Sequence, residues 1–249
     1  MLRGLYTGAS GMLAAQTQSE IIADNVANIR TPGYKGEEAS NKAFPSMLLE
    51  RTSTVGGMPE NMPIGGMGAG VVVDQITRMN VQGALQTTEL STDLALTTDG
   101  YFAVETPNGE RYTRNGHFQL NSEGMLQTVE GFPVLGDNGP IGPLTKDFTV
   151  DPNGTIMDEG QAMGQLRIVE IPKEALIREG QSLYVSNQPA QAFVGNAGIQ
   201  QGVVEGSNVD MSGQMVKMIT VMRAYEANQK VIQTQDATLD KAVNEVGKI

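Results

Sequence analysis

The chain has no cysteine, no tryptophan and one histidine, and its aromatic content stops at six phenylalanines and six tyrosines. Without cysteine there are no disulfides, no thiolate nucleophile and few routes to a structural zinc site, and any redox compartment is compatible. One histidine leaves His-based dyads and multi-histidine metal sites with at most one member. In "YTRNGHFQL" that residue, His117, follows a turn and opens a strand, so it reads as a surface or packing residue without a role. Basic residues are also scarce: 17 Lys and Arg, scattered singly, stand against 28 Asp and Glu, for a net charge of -11. Phosphate binding rests on clustered cations, so nucleic acid is excluded as a partner.

Long apolar runs are missing too, and no membrane-inserted segment is expected. The amino terminus is broken by Gly4, Gly8, Ser10 and Gly11, which leaves no apolar stretch of the length a secretory signal needs. Chemistry-bearing motifs fail on inspection. "GGMGAG" (65–70) departs from G-x-G-x-x-G and no βαβ unit follows it, while "DPNGTIMDEG" has Ile156 where a calcium loop needs glycine. The carboxylates offer no spacing that singles out a pair for glycoside chemistry. No catalytic, cofactor-binding or metal-binding residue is assigned, and no cofactor is expected.

What is present is periodic. With 249 residues, 39% of them hydrophobic, the chain can bury a real core, and 30 glycines point to many tight turns. Over residues 1–30, Leu2, Leu5, Ala9, Met12, Gln16, Ser19, Ala23 and Val26 recur in steps of three and four, a coiled-coil seam with two polar interruptions. Over 207–249 the same period runs through Met211, Met215, Met218, Met222, Tyr225, Gln229, Ile232, Asp236, Leu239, Val243 and Val246. Ser207 or Asn208 is the expected N-cap and Gly247 the stop. The four methionines of this stripe read as adjustable packing rather than soft-metal ligands.

Between the helices the grammar changes. Residues 31–70, with "GGMPENMPIGGMGAG", sustain neither period and read as an extended Gly/Pro/Met-rich linker. From 71 to 206 short β-type runs ("VVVDQI", "YFAVET", "RYTR", "FTV", "QLRIVEI", "LYVS" among them) alternate with turns such as Asn108-Gly109, Glu123-Gly124 and Asn153-Gly154. The expected fold is therefore α+β, with amino- and carboxyl-terminal coiled-coil-type helices bracketing a central antiparallel β domain. "FQLNSEGML" (118–126) and "FTVDPNGTI" (148–156) share one frame, which either a duplication or common hairpin chemistry would produce.

Ordering one residue costs roughly 1–2 kcal/mol and burying one Leu, Met or Ile side chain returns roughly 1.5–3. A stripe that uses a minority of its residues therefore stabilises a helix only when something packs against it. The two helices should run antiparallel, and aligning their ends sets Ser19 near Gln229. The first seam is thin, so copies from other molecules are expected on Leu2, Leu5, Ala9, Met12, Val26, Met211, Met215, Met218, Met222, Tyr225, Ile232, Leu239 and Val243. At "ADNVANIRTPGYK" (23–35) the first helix must stop: Asn25 and Asn28 suit a helix end, and Pro32 disfavours helix at the residue before it. "TPGY" fits a type II turn, with Pro32 fixing the second place and Gly33 supplying positive φ at the third. Asn25, Asn28, Thr31, Pro32, Gly33 and Tyr34 form this corner.

At these residues the chain resembles the axial proteins of the bacterial flagellum, the rod and hook family. The family's signature, approximately A-N-N-x-A-N-x-x-T-x-G-[YF]-[KR], is met by Ala23, Asn25, Ala27, Asn28, Thr31, Gly33, Tyr34 and Lys35, with Asp24 where asparagine is usual. "GLYTGASGM", "DGYFAVETPNGERYTRNGHFQLNSEGMLQTVEGFPVLG" and "EGSNVDMSGQMVKMITVMRAYEANQKVI" extend the likeness over both ends and the β region. Within the family the chain is similar to the rod proteins that carry a β domain, proximal (FlgF-like) or distal (FlgG-like), and "GFPVLGDNGPI" leans toward the proximal kind. The resemblance implies a non-enzymatic subunit of the basal-body rod, outside the cytoplasmic membrane. It implies export through the flagellar type III apparatus, termini that line a hollow torque-transmitting shaft, and partners that are identical copies and other rod and hook proteins. The alternative is a self-contained β-rich binding module or enzyme dimerised by its helices. A dilute monomer that loses roughly residues 1–30 and 208–249 to brief proteolysis favours the axial reading, and resistant termini favour the alternative.

Overall fold

The computed structural model of the chain describes residues 2–55, 58–172, 175–180, 182–193, 195 and 197–246, with backbone alone at 2, 49, 51–55, 58–62 and 245–246. The chain divides into two compact units: Met1–Val26, Glu37–Arg78 and Asp210–Ile249 form one, and Ala27–Gly36 with Met79–Val209 form the other.

The first unit holds the helices α1 (Leu2–Ala27) and α2 (Met211–Lys241), with a π turn over Ala242–Val246. The cap of α2 is Asp210, whose carboxylate accepts from the N–H groups of Ser212 and Gly213. The expected caps are committed elsewhere: the Asn208 amide holds Gly36, Met79 and Val81, and the Ser207 hydroxyl accepts from Val209 N–H. The expected stop, Gly247, lies outside the described residues.

The stretch expected to be a linker is instead two ribbons. Strand β1 (Glu37–Ala43), β2 (Met47–Val55), β3 (Met58–Met67) and β4 (Val71–Arg78) pair antiparallel as β1 with β4 and β2 with β3, in the registers Ala43↔Val71 and Met47↔Met67. A two-stranded ribbon has only edge strands, which is where a strand proline such as Pro63 is tolerated. Accordingly "VVVDQI" is a strand, but one that belongs with the helices rather than with the β domain.

The second unit is antiparallel β throughout its ladders. A six-stranded sheet runs in the spatial order Leu176–Glu179, Leu183–Ser186, Gly109–Thr113, Tyr101–Thr106, Ile168–Glu170, Gln191–Ala192, and short two- and three-stranded ladders surround it. Both faces are covered. Phe102 and Val104 enter the larger core with Leu94, Phe118, Leu126, Val134 and Ile156, while Ala103 faces the smaller cluster of Tyr112, Val169 and Tyr184. Phe102 and Phe118 meet edge to face at 5.2 Å. The two "F-x-aliphatic" frames form the same hairpin: Asn121 N–H donates to Met125 O and Gly124 N–H to Asn121 O, just as Asp151 N–H donates to Thr155 O and Gly154 N–H to Asp151 O.

Candidate functional site

The corner forms as a buried lock within the second unit. Thr31 O accepts from Tyr34 N–H at 3.3 Å, with Gly33 at φ +69°, the geometry of a type II turn. A Cβ on Gly33 would stand 2.5 Å from the Arg114 carbonyl carbon, so the position needs glycine for space as well as for φ. The Asn28 carbonyl accepts from Thr31 N–H, its side chain accepts from the Thr31 hydroxyl, and Tyr34 lies buried with the Arg178 guanidinium over its ring at 4.8 Å.

Beyond the turn, Lys35 is threaded inside. Its ammonium donates to Val81 O at 3.0 Å and to a Glu205 oxygen, the other Glu205 oxygen takes Arg114 Nε at 2.7 Å, and Gly83 N–H adds a third donor at 2.9 Å. Gly33 N–H donates to the Glu205 backbone carbonyl at 2.7 Å. The outgoing segment (27–36) and the returning one (202–209) are thus clamped to each other. Burial alone would raise the Glu205 carboxyl, but the Arg114 charge with the Lys35 and Gly83 hydrogen bonds holds it below the usual carboxylate range. Burial lowers the Lys35 ammonium and outweighs the opposing pull of Glu205. Sequence pattern marks Lys35 and "EGSNVD", yet nothing local says that a carboxylate at 205 is buried under two cations.

In the first unit Asn25, fully buried in α1, behaves as a one-residue strand partner: its amide donates to Glu37 O at 2.7 Å and accepts from Glu37 N–H at 2.9 Å. The helices pack antiparallel, as expected, but through a different face of α1. Gly4 lies against Gln235, Gly8 against Ile232 and Gly11 against Asn228, followed by buried Ala15 and Ile22. Three glycines in a helix cost ~1 kcal/mol each relative to alanine, a cost offset where they let a second helix approach closely. The expected seam lies one residue round: Ala9, Gln16 and Ala23 are exposed, Leu5, Met12, Ser19 and Val26 are half-buried, and the Leu2 side chain lies outside the described residues.

The register differs as well. The Ser19 hydroxyl donates to Met218 Sδ at 3.3 Å, so Ser19 lies two to three turns from the level of Gln229. Pairing is set where α1 ends and Asp210 starts α2, not at the far ends. On α2, Met218, Ile232 and Leu239 are half-buried and Tyr225 sits at the margin, whereas Met211, Met215, Met222 and Val243 stand 41 to 69% exposed together with Val216, Ile219 and Val231.

No nucleophile and base are brought together at either place. His117 Nδ1 lies 2.7 Å from the buried Asp93 carboxylate and pins the bridge between those two residues. Among the described residues no three His, Cys, Asp or Glu side chains cluster to hold a metal ion, and no helix is long and apolar enough to cross a membrane.

Three family models match. Residues 5–35 match the flagella basal body rod protein model, 95–158 the flagellar hook protein FlgE/F/G D1 domain, and 200–245 the flagellar basal body rod FlgEFG protein C-terminal model. The first and third hold the two segments clamped at the corner and most of both helices. The chain is 36% identical to the flagellar hook-basal body complex protein FlhO of Bacillus subtilis (strain 168), over the full length of both. It is 34% identical to the FlgG rod protein of the same organism, covering 98% of this chain and 99% of the relative, and 33% identical to the FlgF rod protein of Caulobacter vibrioides over the whole of both. FlgG and FlgF stand equally near, so identity does not separate the proximal from the distal kind. The chain belongs to the flagellar basal-body rod family.

Proposed function

We propose that the exposed apolar face of α2, with Met211, Met215, Met222 and Val243 on it, is the surface by which this chain joins the rod. As a member of its family the chain is a structural subunit of the flagellar basal body rather than an enzyme, and it assembles with copies of itself and with other rod and hook proteins. The observation that carries the surface assignment is the exposure of long apolar side chains along one helix whose other face is already packed. Burying such a side chain stabilises by roughly 1.5–3 kcal/mol, so a few of them suffice to hold copies together. Delivery through the flagellar type III export apparatus is the route the family membership supports.

The test is Met215→Glu with Met222→Glu in cells whose own copy of the gene is deleted. The expected result is an exported, folded chain that is missing from purified basal bodies, with motility lost. Normal incorporation of the double variant would remove the helix face from the account.

A further inference from the structure

Four of the 14 methionines fall close together on the first turns of α2, at Met211, Met215, Met218 and Met222. One stripe thus carries two environments. Met218 is half-buried and its sulfur accepts from the Ser19 hydroxyl at 3.3 Å, whereas Met211, Met215 and Met222 stand 41, 54 and 56% exposed. Leucine would supply an apolar helix face of similar size with better-defined rotamers. What methionine adds at an exposed position is a thioether that oxidants reach.

The chain holds neither cysteine nor tryptophan, so no thiol of its own stands ahead of these sulfurs as a target for a two-electron oxidant. With hydrogen peroxide the sulfur lone pair takes one oxygen, the O–O bond breaks, water leaves and the thioether becomes a sulfoxide. A dithiol reverses the step: it becomes a disulfide, and the oxygen departs as water. Resting on the reading of this helix face as the assembly surface, we propose that Met211, Met215 and Met222 form a reversible sulfoxidation site, at which peroxide holds free subunits out of the rod and reduction readmits them.

Exposure makes the fold indifferent to this change. A sulfoxide at 211, 215 or 222 of the free chain stays in water and takes its hydrogen bonds there, so the helical pair is untouched. Covered by a neighbouring subunit, the same group is a buried acceptor without a donor, which weakens the contact about tenfold for each such site. The modification therefore acts before assembly, because a covered sulfur is out of reach of peroxide. Met47 and Met163, 51 and 45% exposed, are open to the same reagent, so the test must isolate the α2 positions.

The test compares the wild-type chain with Met211→Leu, Met215→Leu and Met222→Leu combined, each in cells whose own copy of the gene is deleted. Hydrogen peroxide is raised until mass spectrometry finds these three positions of the free wild-type pool mostly oxidised, and basal bodies formed after its addition are purified. The expected result is equal incorporation of the two chains without peroxide, and under peroxide a wild-type level about tenfold below that of the leucine variant. Equal incorporation under peroxide, or a free pool that resists oxidation at these positions, overturns the inference. The assembly surface is read separately from Met215→Glu with Met222→Glu, so its failure is distinguishable from failure of the oxidation site. A second measurement needs no substitution, should the leucine variant fold poorly: an overproduced methionine sulfoxide reductase should restore wild-type incorporation under peroxide. Reduced sulfurs with no recovery of incorporation also overturn it.

Discussion

Glu205 is 1% exposed and holds two cations and a backbone N–H, so its charge, not its volume, is what the corner requires. Glu205→Gln keeps the shape and leaves Lys35 and Arg114 buried without a counter-charge, which should destabilise the chain by about 3–5 kcal/mol in urea unfolding. Acid acts on the same group. The folded carboxyl lies below its unfolded value of 4.5, so its contribution is present above that value and is lost as pH falls through the depressed folded one. Lys35 acts in the same direction in an alkaline window: its folded ammonium lies below 10.5, the unfolded chain binds the proton more tightly, and stability rises with pH between the two values. In Glu205→Gln the acid arm attributable to this carboxyl should vanish from the pH profile of unfolding. Gly33→Ala combines positive φ with a Cβ 2.5 Å from backbone and should cost ~2–4 kcal/mol by the same measurement. The turn itself was legible from "TPGY" because φ demands act locally. The clamp was not, since residues 35, 114 and 205 meet only after the whole β unit has folded.

At the level of elements, the period of both helices was legible and the face was not. Steps of three and four fit the glycine stripe Gly4, Gly8, Gly11 and Ala15 as well as they fit Leu5, Ala9 and Met12, and reading for apolarity picks the second. Close approach picks the first, because a helix that gives up side chains gains backbone proximity. Gly8→Leu should therefore loosen the pair by about 1–3 kcal/mol, since its Cβ already lies 3.0 Å from Ile232. Ala9→Leu, on the exposed neighbouring position, should leave thermal unfolding unchanged. The strands of residues 37–67 escaped sequence reading for a related reason: a two-stranded ladder is held largely by backbone hydrogen bonds, which leave little pattern in side-chain polarity. Where strands have a buried face, as at "YFAVET", alternation and turn chemistry sufficed.

One side of the helical pair is packed, through Gly4, Gly8 and Gly11 of α1 against half-buried positions of α2, and the other side of α2 leaves apolar side chains exposed. A net charge of -11 keeps free copies apart in solution, and on the proposed assignment the apolar positions of α2 are what neighbouring copies cover in the rod. Gly8, Ile22, Asn25, Gly33 and Glu205 serve folding, whereas Met211, Met215, Met222 and Val243 are the residues proposed for assembly, so Met215→Glu should leave the unfolding midpoint of the free chain unchanged while removing it from the rod. The most direct measurement uses the methionines as they stand. Oxidation of Met211, Met215 and Met222 to the sulfoxide, read by mass spectrometry, should be rapid in the free chain and suppressed at least tenfold in purified basal bodies. Equal oxidation in the two states would contradict the claim that this face is covered by neighbouring subunits.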